Sequence, residues 1–230
     1  MLPAMAHSFS VSGVATAIPA GKIIGVGRNY REHAREMGAS GEEPPLLFLK
    51  PASALVPDGG FVRRPAFSLS LHHEVEIVVA IGGSGKHIAE AAALEHVLGY
   101  AVGLDMTLRD VQAEAKRRGH PWAVAKGFDT SAPLSAVVPA SAVPDPAALA
   151  LELRVNGELR QTGRAADMIF AIPALIAFVS NIFTLDRGDL IFTGTPAGVG
   201  EVFPDDVLEA ALTDLTHRLA HLKVTVVDDP

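Results

Sequence analysis

Between Leu71 and Ile81 the chain runs Leu-His-His-Glu-Val-Glu-Ile-Val-Val-Ala-Ile and then meets Gly82-Gly83. The β-branched run predicts a strand stopped by the two glycines. Residues i and i+2 of a strand share a face. His72, Glu74, Glu76, Val78 and Ala80 therefore line one side, and His73, Val75, Ile77, Val79 and Ile81 the other. A second alternation spans 99–105, where Tyr100, Val102 and Leu104 make a bulky face. Gly99, Ala101, Gly103 and Asp105 make a small one, which reads as room left for something other than side chains. Further strands are predicted at 23–27, 46–50, 189–193, 207–212 and 222–227, with a turn at 57–60. Asn156-Gly157 between alternating segments marks a hairpin over 151–160.

Helical periodicity appears in four places. Asn29 is a candidate N-cap for a helix over 30–37, with Gly38 as its stop. An alanine-rich helix is predicted over 88–96, and another begins at Thr107, with Arg109, Gln112 and Lys116 on one side. Residues 168–185 carry no charge, long enough to raise a membrane span. Pro173, Ser180 and Asn181 interrupt the run, while Ile169, Ile172, Ile176, Val179 and Phe183 repeat at helical spacing. A buried amphipathic helix is the better reading. The loop over 39–45, with its Gly, Ser and paired Pro, predicts a lid beside the first helix.

Composition narrows the class. The 230 residues suffice for one substantial core, and a single domain over 1–230 is expected, with 1–20 as an N-terminal extension to a core of about 21–228. A net charge of −7 argues against nucleic acid as a partner. The absence of cysteine removes disulfides and thiolate metal sites, and a cytoplasmic location is the expectation. Residues 1–20 lack the basic start and continuous apolar core of a signal peptide, and no membrane partner is expected.

The candidate chemistry starts from Glu74 and Glu76, about 6–7 Å apart along their strand. Two carboxylates on one face of an apolar strand repel and are costly to bury unless a cation lies between them or the face is wet. Asp105, ending the next strand, supplies a third acid. Three carboxylates without cysteine describe a hard-cation site for Mg²⁺ or Mn²⁺, with Ca²⁺ a further candidate. His33 and Glu36, three apart on the predicted helix, can form a general-base dyad, although a solvated helix laced by Glu32, Arg35 and Glu36 explains the same spacing. Lys126 stands alone in the apolar run 121–129, as either a site lysine or a surface one with a buried stem. Arg109 and Gln112 either face the substrate or are solvated helix positions. Gly194-Thr195-Pro196 offers converging N–H groups and a hydroxyl for an anion, or is a plain loop.

Taken in order, GRNYREHAREMG, FLKPASALV, LHHEVEIVVAIG, GYAVGLDMTLRDVQAEAK, PWAVAKGFD, VNGELRQ and LIFTGTPAGVG resemble the fumarylacetoacetate hydrolase family, in its short acylpyruvate-hydrolase branch. The resemblance implies an α+β fold, a mixed β-sandwich roll with flanking helices and a lid helix, as a homodimer. It implies Glu74, Glu76 and Asp105 as ligands of Mg²⁺ or Mn²⁺. It implies His33 and Glu36 as the lid dyad, Lys126 as a catalytic group, and Arg28, Arg109, Gln112 and Thr195 as substrate contacts. The large eukaryotic members carry a further acidic ligand ahead of the base histidine; no Asp or Glu precedes Glu32 here, so the three-carboxylate site is the match. The implied activity is hydrolysis of 2,4-diketo acids at C3–C4, fumarylpyruvate first among them. Oxaloacetate decarboxylation and dienoate isomerisation or hydration are the alternatives.

Overall fold

The computed structural model describes residues 7–32, 43–214 and 216–229. Its centre is the Val75–Ile81 strand, buried on both faces. That double burial explains why its sequence turns wholly apolar after Glu76. Val75, Ile77, Val79 and Ile81 enter one core, and Val78 and Ala80 another. The large mixed sheet runs in the order Leu46–Lys50, Ile23–Gly27, Leu190–Phe192, Val75–Ile81, Val97–Leu104, Ala132–Leu134, Leu55–Pro57, with Val138–Pro139 added beside Val97–Leu104. A five-stranded sheet, Glu158–Arg164, Ala150–Val155, Val207–Thr213, Arg218–Asp228 and Phe61–Arg64, packs against it. The main core lies between the two and includes Ile77, Val79 and Val102 from the first and Leu153, Leu208 and Val224 from the second. The smaller core gathers Phe9, Val11 and Ile18 with Ile23, Val78, Ala101 and Phe192. This is the mixed β roll with few helices that the resemblance implies.

The predicted hairpin is present, and its turn residues Asn156 and Gly157 both adopt positive φ, as a type I′ turn demands. The charge-free stretch becomes the Ile172–Ile182 helix, with Ile172, Leu175, Ile176 and Val179 buried. Among the described residues no helix is long and apolar enough to cross a membrane.

Several local expectations are corrected. The alanine-rich helix is a run of 3₁₀ turns, Glu90–His96, without a side-chain N-cap. Thr107 and Leu108 form a short strand of their own, and the helix begins at Arg109 and runs to Arg118. Leu71–His73 does not continue the central strand. It pairs with Thr107–Leu108 and Gly200–Val202 in a separate three-stranded sheet, so His72 leaves the face that Glu74 and Glu76 share. The small face of 99–105 is filled: a Cβ on Gly103 would meet Phe192 and Val78 at 2.8 Å, and one on Gly99 would overlap the Val138 carbonyl. Asn29 is not shown capping a helix. Its amide donates to Phe170 and Thr193 carbonyls and accepts from the Phe170 N–H. Residues 33–37 of the predicted helix, with His33 and Glu36, and most of the loop 39–45 lie outside the described residues.

Candidate active site

Strand register brings the three acids together. Val75 pairs with Leu104 and Glu76 with Gly103, so Glu74 faces Asp105 across the ladder. The Asp105 N–H donates to the Glu74 carbonyl at 2.8 Å. Glu76 is two residues further along the same face. One carboxylate oxygen from each of Glu74, Glu76 and Asp105 lies within 4.8 Å of the others, and all three residues are buried.

Their charges are unequally compensated. Lys126, at the end of the short Ala123–Lys126 helix, is 3% exposed. Its ammonium donates to Glu74 Oε2 at 2.8 Å, Asp105 Oδ2 at 2.5 Å and Thr107 Oγ1 at 2.7 Å. Arg109 Nη2 donates to Glu74 Oε1 at 2.5 Å and Nη1 to Gln112 Oε1 at 2.7 Å. Burial alone would raise the Glu74 pKa, but Lys126 and then Arg109 outweigh it and hold that carboxyl far below its usual range. Burial would likewise lower Lys126, and Asp105 and Glu74 reverse this and keep it charged. Glu76 has no cation within ion-pair distance among the described residues. Its donor is the Gly194 N–H, at 2.8 Å from Oε2. Burial, then Asp105 and Glu74, push its carboxyl well above the usual range. A buried carboxylate lacking a countercharge, beside two more with converging oxygens and no soft ligand, fits a hard divalent cation.

Gly194 meets part of the expectation for its loop, because its N–H binds an anion, and that anion is Glu76 of the same chain. The Thr195 hydroxyl donates to the Val75 carbonyl at 2.9 Å and accepts from Gln161 Nε2 at 2.8 Å. A substrate-carboxylate contact through this hydroxyl therefore requires it to turn away from Val75. Arg28 lines the cleft with a left-handed backbone, φ 64, and reaches Glu43 at 3.4 Å. The cleft over the acids has a volume of about 30 Å³, enough for a water or a bare cation. A larger cavity of about 450 Å³ lies along Tyr30, Gly163, Asp167 and Pro196. It does not contain the acids, so chemistry rather than size locates the site.

Two supporting residues escape sequence reasoning. Lys50 reads as the charged end of an apolar strand, yet its side chain is fully enclosed with Nζ 2.8 Å from Asp105 Oδ1. It also donates to the carbonyls of Lys126 and, at 2.9 Å, Ser131. Gln161 looks like a polar residue on the outer face of a hairpin. It is buried, accepting from the Val75 N–H at 3.1 Å and donating to Thr195 Oγ1 and, at 2.9 Å, to the Pro196 carbonyl. Because Gln161 Oε1 accepts, His73 Nδ1, 2.8 Å away, carries the proton. The available signals are that Lys50 lies in the FLKPASALV motif and that Gln161 closes VNGELRQ.

Comparison with known proteins follows the same outline. The model of the fumarylacetoacetate (FAA) hydrolase C-terminal family matches residues 22–227. The mouse mitochondrial oxaloacetate tautomerase FAHD1 is 53% identical over 190 residues, covering 83% of this chain and 86% of the relative. The human protein of the same name is 51% identical over 193 residues, covering 84% and 87%. The crystal structure of fumarylpyruvate hydrolase from Pseudomonas aeruginosa, in complex with Mn²⁺ and pyruvate, superposes with a TM-score of 0.94 at 40% identity, covering 100% of this chain and 99% of that one.

Proposed function

The chain belongs to the fumarylacetoacetate hydrolase family, and from that premise we propose that it is a metal-dependent acylpyruvate hydrolase, with fumarylpyruvate as the first substrate to try. One observation carries the reading: a buried ammonium, Lys126, set among three buried carboxylates that converge within 4.8 Å. The likeness to a fumarylpyruvate hydrolase crystallised with Mn²⁺ and pyruvate supports it, since pyruvate is one product of such a cleavage. Glu74, Glu76 and Asp105 would hold one divalent cation, Mg²⁺ or Mn²⁺, which when bound supplies Lewis-acid polarisation of a 2-oxo acid.

The remaining steps belong to side chains. Arg28, Arg109 and Gln112 line the cleft and orient the carboxylate and oxo group. Thr195 is a further contact for that carboxylate. His33, oriented by Glu36, takes a proton from water, and the hydroxide adds to C4. The C3–C4 bond breaks, and its electron pair passes into the pyruvate enolate. Lys126 donates to the oxyanion that forms at C2. The proton returns to C3, leaving pyruvate and the carboxylic acid of the acyl group. We retain the homodimer and the cytoplasm as the proposed assembly and compartment.

The 53% identity to an oxaloacetate tautomerase favours a second reading. Moving a proton between C3 and the C2 oxygen uses the same enolate and needs neither water nor C–C cleavage. A panel separates the two. With Mg²⁺, purified protein is given fumarylpyruvate, acetylpyruvate and oxaloacetate, and kcat/KM is compared for cleavage, decarboxylation and enol–keto exchange. The expected result is fastest cleavage of fumarylpyruvate. His33→Ala should lower cleavage by about 10²–10⁴-fold while oxaloacetate chemistry falls far less. Rapid oxaloacetate tautomerisation with no cleavage of either acylpyruvate would overturn the hydrolase reading.

A further inference from the structure

We propose that His73 and Gln161 are positioning residues: through one chain of hydrogen bonds they hold the Thr195 hydroxyl as a proton donor, so that this wall of the cleft receives the carboxylate of a 2-oxo acid. The inference rests on the reading that Thr195 touches that carboxylate.

A break in strand register aims Gln161. Leu153 pairs with Gln161 and Arg154 with Leu159, so Arg160 is an extra residue, a β-bulge in the Glu158–Arg164 strand. Strict alternation would put Leu159 and Gln161 on one face. The bulge separates them: Leu159 is 51% exposed and Gln161 2%. An apolar side chain left in water while a polar one is enclosed runs against the usual partition, and bulges re-aim side chains beside active sites. The glycine-rich loop closes on the bulge. A Cβ at Gly198, where φ is 93, would overlap the Arg160 carbonyl and meet Gln161 Cγ at 3.4 Å.

Main-chain groups fix the direction of every bond around Gln161, because their polarity cannot reverse. On one side the Val75 N–H donates to Oε1 at 3.1 Å. On the other the Pro196 carbonyl accepts from Nε2 at 2.9 Å. The amide therefore has a single orientation. His73 Nδ1, 2.8 Å from Oε1, must be the protonated ring nitrogen. Thr195 Oγ1, 2.8 Å from Nε2, must accept. A hydroxyl that accepts there keeps its own proton to give, and it gives it to the Val75 carbonyl at 2.9 Å. Thr195 lines the cleft with Glu74 and Glu76. A carboxylate arriving there competes with the Val75 carbonyl for that proton, and the Gln161 bond polarises the O–H in its favour. Packing holds the start of the chain. The His73 ring lies against its cross-strand partner Gly200, where a Cβ would come within 3.2 Å of Nε2.

The test reads tautomer and binding rather than turnover. Long-range ¹H–¹⁵N NMR of the metal-free protein should show His73 as the Nδ1–H tautomer, its signals assigned by their loss in His73→Asn. Calorimetry then measures pyruvate on Mn²⁺-loaded protein. Thr195→Val and Gln161→Glu should each weaken pyruvate about tenfold, the worth of one hydrogen bond to a charged group. Gln161→Glu keeps the acceptor for His73 and Val75 but draws the hydroxyl proton to itself. The double variant should lose no more than either alone, whereas a new charge that simply repelled the ligand would add to the Thr195→Val loss. His73→Leu should lose about threefold, as for a neutral bond. His73→Asn, whose amide N–H lies near the Nδ1 position, should restore wild-type affinity. An Nε2–H tautomer, additive losses in the double variant, or a Thr195→Val loss that neither Gln161→Glu nor His73→Leu shares overturns the proposal. If Thr195→Val binds pyruvate as tightly as wild type, the carboxylate contact itself is removed from the functional reading, and the proposal goes with it. The full pattern without acylpyruvate cleavage would remove the hydrolase reading and leave this one standing.

Discussion

Lys50 shows how a single side chain can hold a charged centre from behind. Its ammonium is bonded to main-chain carbonyls on two segments and faces Asp105 Oδ1 at 2.8 Å. Burial pulls its pKa down, and Asp105 works against that shift. The contact engages one oxygen of Asp105 and leaves Oδ2 turned toward Lys126 and the other acids. It also ties the end of the Lys126 helix to the edge strand Leu46–Lys50. Removing one partner of a buried pair strands the other charge. Lys50→Met should therefore lower the unfolding free energy by about 3–5 kcal/mol in urea titration. A loss below about 1 kcal/mol would mean that Asp105 finds its compensation elsewhere. Apart from its place in the FLKPASALV motif, nothing in the local sequence marks this lysine, because a charge ending an apolar strand normally points to water.

At the scale of the element, the Val97–Leu104 strand carries its glycines for close packing. The alternation of Gly99, Ala101 and Gly103 is legible in the sequence, but its purpose is not. Gly99 lies against the Val138 carbonyl, and Gly103 against Phe192 and Val78. Both partners arrive from distant segments, which no local pattern announces. Gly99→Ala should cost about 2 kcal/mol or more, because main chain cannot give way as a flexible side chain can. Gly103→Ala should cost less, since the Phe192 ring can rotate. Urea unfolding of the two variants checks the order, and equal small losses would show that the strand is loosely packed. The 3₁₀ run Glu90–His96 teaches a related point. Its alanines favour an α-helix, but it lies between the central strand and its hairpin partner, and tertiary docking overrode propensity.

For the whole molecule, the carboxylate cluster joins folding to cation binding. Bringing three acids together costs stability unless positive charge accompanies them. A cation that binds only the folded chain stabilises it by about 2.7 kcal/mol at a hundred times its Kd. For a chain of this size that corresponds to a rise of about 5–10 °C in Tm. Mn²⁺ should produce such a rise, and EDTA should reverse it. Glu76→Gln should lose most of the Mn²⁺ response while leaving the metal-free Tm unchanged or higher, because it removes a buried carboxylate with no cation of its own. An undiminished Mn²⁺ shift in that variant would exclude Glu76 as a ligand.

The sequence by itself determined the longer strands, the Asn-Gly hairpin, the buried apolar helix and the three acids, because these rest on local periodicity and on residue types whose chemistry has few uses. The ordered motifs from GRNY to TGTP carried the family. Tertiary structure decided how the charges are shared. Lys126 lies buried among the acids rather than at the surface, Lys50 holds Asp105 from behind, and Gln161 secures the Thr195 loop to the start of the central strand. It also decided that the glycine face is packed rather than open. Each of these depends on partners 21 to 89 positions away. A pattern read along the chain records which side of an element is apolar. It does not record which distant group meets that side, and burial of a charge is set by that meeting alone.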